Sequence, residues 1–128
     1  MNDVFRQLLN AADEAKEKAY SPYSRYKVGA ALLAKGGEII TGCNVENAVY
    51  GLAQCAERAA VCTAVSRGYQ PGDFEAIAIV ANAPDFSPCG SCRQVLHEFG
   101  TDIKVIFSFE GEMVIRPVSD LLPKGFTP

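Results

Sequence analysis

Apolar residues recur at Val4, Phe5, Leu8, Ala12, Ala15 and Ala19, with charged residues between them. That spacing predicts an amphipathic helix over residues 3–19, packed on one face. "SPYSRY" (21–26) reads as a turn-rich loop, because a proline disfavours helical backbone at the residue before it. From Tyr26 to Ala34 the chain is mostly apolar, as in a strand. Residues 35–37 turn it, and 38–44 return as the second strand of a hairpin. Residues 45–53 form a loop. "CAERAAVCTAVSRG" (55–68) predicts a helix closed by Gly68. A buried strand is expected over 75–81, a second short helix over 89–100 with glycine at its end, and a strand over 102–109. "EGE" at 110–112 turns the chain into a last short strand over 113–118. Ser119 is expected to cap a single turn over 120–123. The order is α-β-β-α-β-α-β-β, which implies an α/β sheet with helices laid over it. With no repeat or linker, residues 1–128 read as one domain.

A chain of 128 residues buries enough surface for a core without staples. A nucleic-acid binder more often carries clustered Lys and Arg, whereas the net charge here is −3 and no such cluster exists. No window approaches the roughly 20 apolar residues needed to span a bilayer. The N-terminus opens with an acid and lacks a basic leader before an apolar run, so a cytoplasmic protein is expected. Five cysteines, an odd number, are not spread as a disulfide framework. In a reducing compartment, clustered cysteines point to metal or catalysis.

Cys89 and Cys92 form C-x-x-C behind Pro88, and i, i+3 positions share a helix face. Cys55 and Glu57 are i, i+2, so they converge on one object only if it lies off the helix end. A common target therefore sits at the N-termini of both helices, where the helix dipole lowers a thiol's pKa. Three thiolates and one open position describe a catalytic zinc site, since a structural one has four protein ligands. Zinc with an open corner brings the pKa of bound water down to about 7. Glu57 is better placed to hold that water's proton than to be a fourth ligand. Three thiolates overcompensate the ion's charge, and Arg58 is placed to offset the excess by donating to sulfur. His97 lies beyond the cysteines and is expected to point away from them. Cys43 and Cys62 lack partner spacing and read as buried small hydrophobes.

"C-A-E" followed by "P-C-G-S-C" resembles the signature of the zinc nucleoside and nucleobase deaminases. With "SPYSRYKVGAALL", "GCNVENAVYG", "SPCGSCRQVL" and "LLPKGF", the chain from about residue 20 to 126 is similar to the small cytidine deaminases. The resemblance implies a three-layer fold, a mixed five-stranded sheet with helices on both faces. It implies zinc on Cys55, Cys89 and Cys92, one ion per chain, with Glu57 moving protons. Hydroxide would attack C4 of cytidine or 2′-deoxycytidine and ammonia would leave, a step of pyrimidine salvage. Asn44 and Glu46 map to ribose contacts and Tyr26 to the base pocket. The Ala56 N–H and the Ser87 carbonyl map to readers of the pyrimidine edge. Phe126 maps to an aromatic that stacks on the base from a neighbouring subunit, in a homotetramer. A related deaminase of another nucleoside, such as blasticidin S, is disfavoured by "NVENAVYG". A polynucleotide-editing deaminase is disfavoured by the acidic balance. A zinc scaffold without catalysis would have no need of Glu57.

Overall fold

A computed structural model describes all 128 residues. Helix α1 spans Asp3–Lys16, strands β1 and β2 span Val28–Ala34 and Ile39–Cys43, and α2 spans Ala56–Ser66. Then come β3 (Phe74–Ala81), α3 (Gly90–Phe99), β4 (Lys104–Phe109), β5 (Glu112–Pro117) and the short α4 (Val118–Leu121). The five strands form one sheet in the order β2-β1-β3-β4-β5. Only the β3–β4 pair is parallel, so the sheet is mixed, as expected.

Strand side chains alternate between faces, and each face has its own cover. Ala31, Leu33, Ala76, Ala78 and Ile106 pack under Leu8 and Ala12 of α1. Ala30, Leu32, Ile77, Ile79, Val105 and Phe107 pack under Ala60, Val61 and Ala64 of α2 and Leu96 of α3. The molecule thus has three layers, and every residue of the inner strand β1 is buried. Two glycines let the helices approach. A Cβ on Gly29 would lie 2.0 Å from the Ala12 carbonyl oxygen of α1. A Cβ on Gly42 would lie 2.4 Å from the Ala60 nitrogen of α2.

Both β2 and β3 run antiparallel to β1, so their C-terminal ends lie at the same end of the sheet. Helices α2 and α3 follow those two strands. Their N-termini therefore start from one edge and meet there. This topology, more than any local signal, builds the site.

Several boundaries differ from expectation. Helix α1 stops at Lys16 rather than 19, because Tyr20 is drawn away to pair with the 44–46 segment, its N–H bonding the Asn44 carbonyl at 3.0 Å. Strand β1 begins at Val28 rather than 26, because Asn44 and Asn82 side chains take the backbone groups of residues 25–28. Gly68 does close α2: its φ is 96°, and the Gly68 and Tyr69 N–H groups bond back to Val65 and Ala64. Glu110 and Gly111, both at positive φ, make the β4–β5 turn. Ser119 does not cap the last turn. The cap position of α4 is Pro117, and the Ser119 N–H bonds Thr101 instead. Cys62 is exposed, not buried, because α2 turns Ala60, Val61 and Ala64 inward and leaves position 62 outside. Cys43 is half-buried.

Candidate active site

Cys55 is the residue before α2 and Cys89 the residue before α3, both in extended backbone. Neither uses its side chain to cap its helix, which leaves both sulfurs free to turn toward each other. Cys92, one turn into α3, is fully buried. The three Sγ atoms lie within 4.8 Å of one another. Zinc–sulfur bonds are about 2.3 Å, so sulfurs on a tetrahedral ion sit roughly 3.8 Å apart. The three sulfurs need only a small adjustment to reach that spacing, and the all-thiol donor set suits zinc.

The electrostatics of the cluster follow from its packing. The Cys55 thiol is pulled down to about 5, by a hydrogen bond from Cys92 and then by Arg58 and Cys89, against the effect of burial. Cys92 moves up, because its thiol donates to Cys55 and because it is buried. Their hydrogen bond favours the thiolate on Cys55 over Cys92. The Arg58 Nη2 donates to Cys55 Sγ at 3.4 Å, and that bond holds the guanidinium pKa above its usual range.

Glu57 is 3% exposed, and burial, helped by the negative Cys55, raises its carboxyl pKa. A carboxyl in that condition holds and releases a proton closer to neutrality than an exposed one. A cleft of about 310 Å³ opens above it. Eight predicted residues line this cleft: Tyr26, Asn44, Glu46, Cys55, Ala56, Glu57, Ser87 and Cys89. They come from four separate stretches of sequence. Ala56 begins α2, so its N–H has no partner within the helix.

The rim is held by its own hydrogen bonds. Asn44 Nδ2 donates to the Tyr26 carbonyl at 2.7 Å, and its Oδ1 accepts from the Val28 N–H at 2.8 Å. Each end of that amide keeps one hydrogen-bonding position free. The Glu46 carboxylate accepts from the N–H groups of Tyr23 and Ser24 and from the Ser24 hydroxyl. Phe126 is not in the cleft. It stands 71% exposed on the C-terminal tail. His97, too, lies apart from the cysteines, with its ring against Gly125.

Phe86 lines the cleft and went unread in the sequence. Its ring packs edge-on against Phe107, centroids 6.4 Å apart, and its N–H bonds the Ser108 carbonyl. The available signal was an aromatic set in the otherwise turn-forming "NAPDFSP".

The family model for the cytidine and deoxycytidylate deaminase zinc-binding region matches residues 3–109. A cytidine deaminase of Halalkalibacterium halodurans is 48% identical over 125 residues, 95% of this chain and 93% of the relative. One of Mycobacterium tuberculosis is 45% identical over 130 residues, 98% and 92% of the two chains. The crystal structure of a cytidine deaminase from Burkholderia pseudomallei superposes with a TM-score of 0.91 at 46% identity, covering 98% of this chain and all of the other.

Proposed function

The chain belongs to the cytidine and deoxycytidylate deaminase family, and on that premise we propose that it hydrolyses cytidine and 2′-deoxycytidine to uridine and 2′-deoxyuridine, releasing ammonia. One observation carries this reading. Three thiols converge at two helix starts beside a buried carboxyl, at the bottom of a cleft of nucleoside size.

Cys55, Cys89 and Cys92 would hold one zinc ion per chain. When bound, zinc supplies the Lewis acidity that makes hydroxide available at neutral pH. Glu57 takes the proton that water gives up and holds N3 of the pyrimidine. It then delivers a proton to the amine leaving C4, so one water is consumed and one ammonia released. Its burial suits this work, because a carboxyl raised above its usual range accepts a proton more readily than an exposed one. Arg58 offsets the negative charge of the sulfurs through its bond to Cys55.

The Ala56 N–H and the Ser87 carbonyl read the edge of the base, and Tyr26 forms one side of the base pocket. Asn44 and Glu46 bind the sugar hydroxyls through the positions their rim bonds leave free. Phe126 lies outside its own cleft and is exposed, as expected of a residue that closes the site of a neighbouring copy. The assembly in this reading is a homotetramer of single-domain chains. The substrate is a free nucleoside rather than a polynucleotide, consistent with a net charge of −3. No helix is long and apolar enough to cross a membrane. The reading places the protein in the cytoplasm, in pyrimidine salvage.

The test follows loss of cytidine absorbance by the wild type and by Glu57→Gln, with zinc counted in both. Turnover should fall by about 10²–10⁴-fold in the variant with zinc unchanged, the range for losing a positioned acid–base group. A zinc-loaded wild type that leaves cytidine untouched would overturn the substrate assignment.

A further inference from the structure

Helix α3 carries a second row of side chains behind its cysteines. Arg93 spends its guanidinium on three acceptors at once. Nε donates to the Pro88 carbonyl at 2.8 Å, Nη2 to the Ser87 hydroxyl at 2.7 Å and Nη1 to the Leu121 carbonyl at 2.7 Å. The first two acceptors belong to the segment that enters α3 and lines the cleft. The third closes α4, where the C-terminal tail departs. Pro88 is fully buried, so its carbonyl would be costly to leave unbonded.

The neighbouring side chains take hold of the tail itself. Gln94 binds the backbone of Phe126 at both ends, donating to its carbonyl and accepting from its N–H, each at 3.1 Å. The chain turns at Lys124, with φ of 55°, and lays Gly125 on the His97 ring. A Cβ at Gly125 would come within 2.4 Å of that ring, so a side chain there would have to displace His97. Arg93, Gln94 and His97 thus grip residues 121–126, while the same Arg93 grips residues 87–88.

We propose that Arg93 is a positioning residue that couples the Ser87–Pro88 wall of the cleft to the tail presenting Phe126. The consequence for turnover rests on the deaminase reading above. The physical argument is the guanidinium's shape. Its donors point in fixed, coplanar directions, so three acceptors placed around it hold one another's geometry. An ammonium on a flexible stem carries the same charge but cannot fix three acceptors in one plane. A wall and a tail released from each other would bind the nucleoside in a looser pose, which costs rate steeply.

Arg93→Lys separates charge from shape. With zinc content unchanged, kcat/KM for cytidine should fall by about tenfold or more, with kcat carrying most of the loss. Hydrogen exchange should rise together at the Phe86 amide, on the cleft side, and at the Leu122 and Phe126 amides, on the tail side. Gln94→Ala should raise exchange at Phe126 and leave Phe86 unchanged. Should Arg93→Lys fold poorly, Ser87→Ala removes one acceptor and should give the same joint rise on a smaller scale. A rise confined to one side, or an unchanged kcat/KM with wild-type exchange, overturns the coupling. If the wild type does not deaminate cytidine, the substrate reading fails and the exchange pattern still decides the coupling.

Discussion

The starts of α2 and α3 meet at one point, and each is held there by an arginine used in a different way. At α2, Arg58 reaches the sulfur of Cys55 and works on charge. At α3, Arg93 touches no sulfur and works on backbone, holding the segment that delivers Cys89. Burial cuts across the two starts: Glu57 of α2 and Cys92 of α3 are enclosed, Cys55 is half-buried and Cys89 is exposed. A site of this kind needs both services: compensation for crowded negative charge, and a rigid frame for ligands arriving from distant parts of the chain.

The largest break in this comparison comes from Arg58. Replacing it with alanine should weaken zinc retention and lower turnover by roughly a hundredfold, the upper range for losing a group that supports a metal ligand. Glutamine should keep part of each, because its amide still donates to Cys55. Zinc stoichiometry after dialysis against a chelator, measured beside cytidine kinetics, checks this. Unchanged values in both variants refute charge compensation. Arg93→Lys, by contrast, should keep its zinc.

A smaller effect separates the two faces of the sheet. Gly42→Ala and Gly29→Ala each drive a methyl group into a helix backbone. Each should cost about 2 kcal/mol of stability in denaturant melts of the metal-free protein. Only Gly42→Ala presses on α2, so it should also weaken zinc binding, while Gly29→Ala presses on α1 and should spare it. Equal loss of zinc affinity in the two variants would show that the α1 layer also sets the site.

The smallest effect lies at the rim. The Ser24 hydroxyl, then the N–H groups of Ser24 and Tyr23, hold the Glu46 carboxyl below its ordinary 4.5. A depressed carboxyl contributes its stabilisation fully above the unfolded value and loses it as pH falls through the folded one. The Tyr23 and Ser24 amides should therefore lose protection as pH drops below about 4.5. NMR exchange measurements across that range should show the loss in wild type and a flat response in Glu46→Gln.

Much of this was legible in the residues. Apolar runs bounded by turn residues located the five strands, and helical spacing three of the four helices, to within a few positions, because the inner strands bury both faces and each helix buries one. The glycine closing α2 was visible because its left-handed backbone favours that residue. What escaped depended on partners far along the chain. Helix α1 ends early because Tyr20 pairs with the 44–46 segment, and β1 starts late because Asn44 and Asn82 claim the backbone before it. Cys62 looked like core only while the inward face of α2 was unknown. Phe86 left only the faint signal of an aromatic in a turn-forming stretch, and Arg93 left none, since their meaning lies in what they touch.

The sequence by itself determined the chemistry: three thiols, an acid two residues from one of them, and an arginine next to that acid. Those identities and spacings are local, and helix geometry converts them into a target lying off two helix ends. Only the tertiary structure decided that the two ends coincide. That outcome requires β2 and β3 to run the same way on either side of β1, so that both helices rise from one edge of the sheet. It also requires Gly42 to let α2 settle at backbone contact and Arg93 to bind three acceptors up to 28 residues away in the chain. Such contacts join residues that sequence order keeps apart, and only the closed fold brings them within bonding distance.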